Sequence, residues 1–161
     1  MIIVVSVPHT GTVTTKYLLD NANLKPLQHH CHADTIFPFL ERMKDADIVV
    51  PLRHPEKAWR TWTRRGTGLG GHVSNEERLP HFIQSWKWLD DICRERNTYY
   101  LPVDLPIRDE CLREMSEAFG VDIKADWTVR NETTESLARF DYVEADLSEV
   151  MSLDVVRKFY A

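Results

Sequence analysis

The stretch VVSVPHTGTVTTKYLL, residues 4–19, predicts a strand, a tight turn and a helix in direct succession. The β-branched run at residues 2–7 has the length of a strand and no polar alternation, which indicates burial on both faces, as in a parallel sheet. From Thr12 to about Asp20, apolar residues recur at helical spacing. The single glycine between them, Gly11, allows a sharp turn. The chain therefore begins with one strand–turn–helix unit of an α/β protein.

This turn has the features of an anion site. The first N–H groups of a helix lack intrahelical partners and the helix dipole is positive there, so an anion binds readily. A glycine allows a ligand to approach the backbone, and threonine hydroxyls lie beside the N–H groups. The predicted ligand residues are Pro8, Thr10, Gly11, Thr12, Val13 and Thr14. In a competing interpretation, Thr10 or Thr12 merely caps the helix.

A nucleoside-triphosphate loop of the form GxxxxGK[ST] is excluded as written. The turn holds one glycine and no Gly-Lys pair. Lys16 lies about one turn into the helix, and helical side chains lean toward the helix N-terminus. We therefore expect Lys16 to reach back toward the anion.

The rest of the chain alternates strands and helices. Strand patterns occur at residues 25–32, 45–55 and 98–104, and helical patterns at residues 35–44, 56–65, 78–96, 108–120 and 147–160. This order predicts a three-layer α/β fold with a mainly parallel sheet flanked by helices. A length of 161 residues fits one domain, 1–161. Residues 66–77 hold four of the six glycines, which predicts a flexible loop.

A second stretch, VVPLRHPEKAWRTW at residues 49–62, repeats the form of the first. Arg53 ends a buried strand, and open α/β sheets bind ligands at the carboxyl ends of their strands. Thr61 lies eight residues on, in the following helix, where its hydroxyl can reach the same anion. Trp59 and Trp62, three residues apart on that helix, are predicted to be core contacts.

Two further arginines, Arg64 and Arg65, end the same predicted helix. Cations are favoured at a helix C-terminus, so the pair can be a solvated helix end. In the other interpretation, they extend to a phosphate bound near Arg53. Both interpretations remain open at this point.

The combination of PHTGT with RHPEKAWRT resembles the sulfotransferase family, whose donor is 3′-phosphoadenosine 5′-phosphosulfate (PAPS). The resemblance covers residues 1 to about 125 and implies a P-loop NTPase-like fold without a required metal. It implies that the glycine turn holds the 5′-phosphosulfate. It also implies that Arg53 and Thr61, which follow the family spacing of R-x-P and a later Ser or Thr, hold the 3′-phosphate, with Arg65 as a further candidate.

One residue departs from the family pattern. The family has Lys or Arg after the proline, beside the bridging oxygen of the leaving group, and this chain has His9. Imidazole can stabilise that oxygen only as a cation or as a neutral N–H donor. The resemblance therefore assigns His9 a catalytic position and predicts that Lys16, Arg64 or Arg65 compensates.

The run HHCHAD, residues 29–34, supplies the candidate general base. By the same likeness, His30 or His32 takes the proton from the acceptor, with Asp34 as a weaker alternative. His, Cys and Asp are also zinc ligands, so a metal site is a second interpretation. Because neighbouring residues on a strand rarely converge on one ion and no second cluster supplies further ligands, no metal is expected.

Composition narrows the function further. A net charge of −5 and an isoelectric point near 5.8 disfavour a nucleic-acid partner. No apolar run has the length of a membrane span, and the start lacks a signal-peptide pattern, which predicts a cytoplasmic protein. Three dispersed cysteines without a CxxC pair predict reduced thiols.

The predicted activity is sulfuryl transfer from PAPS to a hydroxyl or amine of an acceptor that the sequence does not identify. One alternative is a nucleotide-dependent phosphotransferase, which needs Mg²⁺ and in most cases the Gly-Lys pair. The other is a donor-binding or protein-interaction module that has lost catalysis, with His9 as the sign of that loss.

Overall fold

A parallel sheet forms the centre of the chain. The computed structural model describes residues 1–31, 34–65, 75–128 and 140–161. Within them, the strands are β1 (Ile2–Ser6), β2 (Leu27–His30), β3 (Asp47–Leu52) and β4 (Thr98–Pro102), in the order β2-β1-β3-β4 and parallel throughout. The helices are α1 (Thr12–Asn21), α2 (Ile36–Arg42), α3 (Pro55–Arg65), α4 (Asn75–Glu95), α5 (Arg108–Phe119), α6 (Ser148–Met151) and α7 (Asp154–Tyr160). The predicted α/β fold with a parallel sheet is confirmed.

Helices cover both faces of the sheet because successive strand side chains point to opposite sides. Ile3 and Val5 of β1 face a core built with α2, α3, α4, α6 and α7. Ile2 and Val4 face a second core built with α1 and α5. Burial of each large apolar side chain stabilises the fold by roughly 1.5–3 kcal/mol. Both faces of the sheet therefore contribute a core, which explains the unbroken apolar run of β1.

The aromatic side chains of α3 and α4 fill the larger core. Trp59 and Trp62 are 1% and 0% exposed, which confirms that they are core residues. Phe82 lies between them and Trp86, with ring centroids 5.1 Å from Trp59 and from Trp62 and 6.2 Å from Trp86. Such aromatic ring contacts stabilise the core beyond the effect of burying apolar surface.

Helix α4 also holds two neighbouring elements in place. The Arg96 guanidinium, just past its end, donates hydrogen bonds to carbonyls around the end of α2: those of Leu40, Met43, Lys44 and Ala46. The buried Asp90 carboxylate accepts the Val155 N–H at the start of α7, at 2.8 Å. None of the helices in the described ranges has the length and apolar character needed to cross a membrane.

Element boundaries differ from the predictions at several points. β1 ends at Ser6 rather than at residue 7, and α3 begins at Pro55, because proline suits the first position of a helix. The end of the chain forms two helices rather than one, because Leu153 between them is extended. Of the loop predicted at residues 66–77, residues 75–77 belong to α4, and 66–74 lie outside the described residues.

The strand order places the topological switch point of the sheet, the point at which open α/β sheets form a crevice, at the carboxyl ends of β1 and β3. The chain passes from β1 to β2 on one side and then to β3 on the other, so the order of the sheet reverses direction between β1 and β3. Their pairing ends at Val4 and Val49, whereas β3 continues beside β4 to Leu52. Pro51 lies in that continuation and has no N–H to offer a neighbour. Ligands of open α/β sheets bind at such a point.

Candidate functional site

The turn after β1 has an unusual backbone. His9 and Gly11 both adopt positive φ angles, 67° and 98°. Such angles are rare for a residue other than glycine, so His9 is held there by its surroundings. The Thr10 hydroxyl between them donates to the Val7 carbonyl at 2.6 Å. Alternating left-handed residues turn successive N–H groups toward one side, which is the geometry of an anion-binding nest.

The interpretation that a threonine side chain caps α1 is wrong. Gly11 is the N-cap residue, and no side chain of the described residues bonds there as a cap. The Thr10 hydroxyl is used on the Val7 carbonyl, and the Thr12 hydroxyl shares a 2.8 Å hydrogen bond with Ser6. The N–H groups in the first turn of α1 therefore have no side-chain cap among the described residues.

The other predicted residues of the turn differ in exposure. Pro8 is buried beneath it, Thr14 is half-buried, and the Val13 side chain is 47% exposed. Gly11 packs against Val103, just past β4: a Cβ at Gly11 would lie 2.7 Å from Val103 Cγ2. The turn is therefore shaped by both its own backbone and the neighbouring loop.

The structure brings Arg53 and Thr61 of the second motif together. Arg53 follows β3 at the crevice, and its guanidinium donates to the Thr61 hydroxyl at 3.3 Å. The Thr61 hydroxyl in turn donates to the Lys57 carbonyl, one turn back in α3, at 3.1 Å. This second bond fixes Thr61, so the Arg53 guanidinium is held at the first turns of α3.

Arg65 is not brought beside Arg53. Helix α3 rises about 1.5 Å per residue, so its last residue lies about 15 Å from Pro55 at its start. Arg64 and Arg65 are half-buried at that far end, where the Arg64 carbonyl accepts the Phe140 N–H at 3.0 Å. Their position matches that of cations at a helix C-terminus.

The two motifs are in contact. The His9 ring of the glycine turn lies 6.4 Å from the ring of Trp62, the neighbour of Thr61 in α3, in an edge arrangement. The Val103 N–H donates to the Leu52 carbonyl at 2.9 Å, which joins the loop after β4 to the end of β3. The turn, α3 and the loop after β4 therefore meet at one edge of the sheet.

Asp104 is a residue of this edge that the sequence prediction missed. Its carboxylate accepts hydrogen bonds from the His54 N–H at 3.1 Å, from Lys57 Nζ at 3.1 Å and from the Tyr160 hydroxyl at 2.7 Å. The His54 and Tyr160 rings pack edge to face, 5.4 Å apart. Asp104 is the last residue of the strand predicted at residues 98–104, and no sequence pattern pointed to a role for Asp104 or for Tyr160.

The hydrogen bonds at Asp104 shift two pKa values. Burial alone would raise the pKa of Asp104, but the bonds from Tyr160, His54 and Lys57 outweigh burial and hold that pKa below its ordinary value. Burial and the bond to this carboxylate raise the pKa of Tyr160, against the nearby Arg53 charge. Asp104 is therefore an anion held beside the cationic start of α3.

Of the predicted bases, His30 lies beside the turn. Strand β2 pairs Ser6 with His30, and His30 Nδ1 is 3.1 Å from the Ser6 hydroxyl, which in turn contacts Thr12. His30 Nε2 lies 3.1 Å from the amide nitrogen of Gln28. Ser6 was also missed, because a serine inside a buried strand has no sequence signal of function.

The rest of the histidine run contributes less. His29 points elsewhere: its ring lies 5.0 Å from that of Phe39, and its Nδ1–H donates to the His30 carbonyl at 2.9 Å. Asp34 is exposed at the turn before α2. His32 lies outside the described residues. Where residues are described, no three His, Cys, Asp or Glu side chains are grouped as metal ligands would be.

Lys16 points away from the turn, contrary to the prediction. Its ammonium group pairs with Asp20, one turn further along α1, because an opposite charge four residues on attracts it there. Among the thiols, burial raises the pKa of Cys31, and that of Cys93 to about 12. Neither thiol therefore has the thiolate character of a nucleophile.

The edge thus combines an uncapped helix start with a fixed guanidinium and an imidazole, each on a separate element. Such a set can hold a ligand with two anionic groups and move a proton beside one of them. Comparisons of the chain with protein-family models, with curated proteins and with solved structures found no match.

Proposed function

We propose that this protein is a sulfotransferase-like enzyme with a P-loop-like site, which transfers a sulfuryl group from PAPS to a hydroxyl or amine of an acceptor. One observation carries the proposal: two candidate anion motifs follow the adjacent strands β1 and β3, at the switch point of the sheet. The first is the uncapped glycine turn, and the second is Arg53 with Thr61. PAPS carries anionic groups at two separate positions. It therefore matches two adjacent anion motifs, whereas a ligand with a single phosphate would occupy only one of them.

The residues divide the work in this scheme. Backbone N–H groups of the glycine turn and of the first turn of α1 hold the 5′-phosphosulfate. Thr10 contributes its backbone N–H, because its hydroxyl hydrogen is already donated to the Val7 carbonyl. The half-buried Thr14 adds a hydroxyl. Arg53, fixed by Thr61, holds the 3′-phosphate by charge-assisted hydrogen bonds.

The reaction is a displacement at sulfur. An acceptor oxygen or nitrogen attacks the sulfur, the bond from sulfur to the bridging oxygen breaks, and adenosine 3′,5′-bisphosphate leaves. His30 takes the proton of the acceptor, and His9 donates a hydrogen bond to the bridging oxygen as negative charge develops there. Much of the rate comes from holding the two reactants together.

The test is calorimetric titration with adenosine 3′,5′-bisphosphate and with adenosine 5′-monophosphate, which lacks the 3′-phosphate. We expect the wild type to bind the bisphosphate about tenfold or more tightly, the size of one charge-assisted contact. Arg53→Ala should remove this preference while binding of the monophosphate changes little. Arg42→Ala is the matched control, because Arg42 is exposed at the end of α2, on the way to the amino end of β3.

Other results distinguish the alternatives. Binding of ATP with Mg²⁺ and not of the bisphosphate would replace the proposal with a phosphotransferase. Binding of neither would reduce both motifs to structural turns. Tight bisphosphate binding without transfer to any acceptor class, together with a gain of transfer in His9→Lys, would identify a module that has lost catalysis.

A further inference from the structure

The residues on either side of Arg53 are both bonded to the loop after β4. The Leu52 carbonyl accepts the Val103 N–H at 2.9 Å, and the His54 N–H donates to the Asp104 carboxylate at 3.1 Å. Two consecutive residues of that loop therefore hold the two residues that flank Arg53. The backbone from which the Arg53 side chain extends is thus fixed on both sides.

Lys57 connects this backbone attachment to the far end of the Arg53 side chain. The oxygen of Asp104 that accepts the His54 N–H, Oδ2, also accepts from Lys57 Nζ at 3.1 Å. The Lys57 carbonyl accepts the Thr61 hydroxyl at 3.1 Å, and that hydroxyl accepts from the Arg53 guanidinium at 3.3 Å. Each bond has a settled direction, because guanidinium, ammonium and N–H groups donate and carboxylate and carbonyl oxygens accept. The contacts form a closed ring around Arg53.

The two oxygens of the Asp104 carboxylate serve different elements. Oδ2 accepts from the start of α3, as described above, whereas Oδ1 accepts the Tyr160 hydroxyl of α7 at 2.7 Å. The Asp104 side chain is only 12% exposed, so little water competes for either oxygen. One oxygen therefore belongs to the Arg53 motif and the other to the docking of α7, and substitutions can separate the two.

We propose that Asp104 is a positioning residue of the second anion motif, which fixes the backbone beside Arg53 and pairs with the ammonium group of Lys57. This inference rests on the proposed function, in which Arg53 binds the 3′-phosphate. Asp104 is itself an anion and does not contact the phosphate. It acts through Arg53, whose guanidinium is ordered before the ligand arrives, so that binding does not have to immobilise a long side chain.

The charge of Asp104 on its own has the opposite effect. A carboxylate beside a phosphate site repels the ligand, and this carboxylate also occupies Lys57, a cation that would otherwise attract the phosphate. If charge alone matters, removal of the carboxylate should strengthen binding of the 3′-phosphate. If positioning matters, removal should weaken it. The sign of the change therefore distinguishes the two effects.

The test compares Asp104→Ala with Asp104→Asn, because both lose the charge and only asparagine keeps an oxygen that can accept the His54 N–H. Calorimetry gives the preference of each variant for adenosine 3′,5′-bisphosphate over adenosine 5′-monophosphate. We expect this preference to fall about fivefold in Asp104→Ala, the factor for immobilising one long side chain on binding, and to be restored in Asp104→Asn. A preference in Asp104→Ala that is no lower than that of the wild type, or no lower than that of Asp104→Asn, would overturn the proposal.

Tyr160→Phe is the matched control for a loss of stability alone. Phenylalanine keeps a ring beside His54 and removes only the bond to Oδ1, so both bonds of Oδ2 remain. The fold should lose stability, while the preference for the bisphosphate should keep its wild-type value. A fall in preference as large as that in Asp104→Ala would show that binding follows the stability of the fold, and would overturn the proposal.

A measurement without ligand separates this inference from the proposed function. Nitrogen-15 relaxation of the Arg53 Nε–H group, assigned by its absence in Arg53→Ala, reports the mobility of the side chain. We expect an ordered group in the wild type, in Asp104→Asn and in Tyr160→Phe, and a mobile one in Asp104→Ala. A mobile group in the wild type, or an ordered one in Asp104→Ala, would overturn the positioning role. The wild-type result decides this even if Asp104→Ala does not fold.

The remaining outcome concerns the ligand alone. If Arg53 is ordered by Asp104 as expected but the wild type does not bind adenosine 3′,5′-bisphosphate, the proposed function is overturned. The part of this inference that concerns the 3′-phosphate is then overturned with it.

Discussion

At the residue scale, Gly11 is subject to two independent constraints. Its φ angle of 98° is one that residues with a Cβ rarely adopt. A Cβ at this position would also lie 2.7 Å from Val103 Cγ2. The sequence predicted the first constraint, because a lone glycine after a strand and a proline indicates a sharp turn. It did not predict the second, because nothing in the local pattern states which later residue packs on the turn.

We expect Gly11→Ala to lower the free energy of unfolding. The left-handed backbone costs about 1–2 kcal/mol, and the close contact with Val103 adds roughly 1–3 kcal/mol. Urea unfolding monitored by tryptophan fluorescence measures the sum. The part of this loss that comes from the contact with Val103 should disappear when Gly11→Ala is made in the Val103→Ala background. The free energy of unfolding of the double variant is therefore compared with that of Val103→Ala alone. Wild-type stability in Gly11→Ala would contradict this account of the turn.

At the element scale, α7 is held against the site by its last turn. Tyr160 bonds to Asp104 in the loop after β4, and Asp104 also accepts from the first residues after β3. Tyr160 and Asp104 are separated by 56 residues, and His54 and Asp104 by 50. Periodicity predicted a helix near residue 160, but the partner of that helix depends on strand order, which no local pattern reveals.

We expect the Asp104 bonds to make stability depend on pH in the acid range. The folded-state pKa of Asp104 lies below its ordinary value, so as pH falls the unfolded chain takes up the proton first. The contribution is complete above about pH 4, the ordinary range for aspartate, and is lost as pH falls through the folded-state pKa. Urea unfolding at a series of pH values measures this dependence. In Asp104→Asn, the free energy of unfolding should fall less steeply than in the wild type as the pH is lowered into the acid range.

Two further variants complete that experiment. Tyr160→Phe removes one donor to the carboxylate and should lower the free energy of unfolding at neutral pH by about 1.5 kcal/mol. Asp45→Asn, at an exposed aspartate in the turn before β3, is the control and should keep the wild-type pH profile. An unchanged acid limb in Asp104→Asn would show that other carboxylates govern acid unfolding.

At the scale of the whole molecule, a chain of net charge −5 collects cationic groups at one edge of its sheet. Arg53 lies there, beside the start of α1 with its positive dipole, and so does Lys57, whose charge is paired with Asp104. The sequence predicted the parallel sheet correctly because strands buried on both faces and helical periods are local patterns. The network of Ser6, Asp104 and Tyr160 is formed by contacts between elements and was therefore beyond prediction.

We expect adenosine 3′,5′-bisphosphate to stabilise the whole fold. A ligand at a hundred times its Kd that binds only the folded state adds about 2.7 kcal/mol, which for a chain of this size corresponds to roughly 5–10 °C in Tm. Differential scanning calorimetry measures the shift. At the same ligand concentration the rise should be smaller in Arg53→Ala and unchanged in Arg42→Ala. Equal shifts in wild type and Arg53→Ala would contradict a role of Arg53 in binding.

The contact between Gly11 and Val103 has a consequence for how the protein is made. The turn precedes β2, β3 and β4 along the chain and is therefore synthesised before them, whereas Val103 follows β4, the last strand of the described sheet. A nascent chain that has folded only its first three strands still lacks the wall against which the turn packs. The turn therefore acquires its final packing only after β4 has been made, and fragments that stop before β4 should fold, at most, into a scaffold with an unshaped turn.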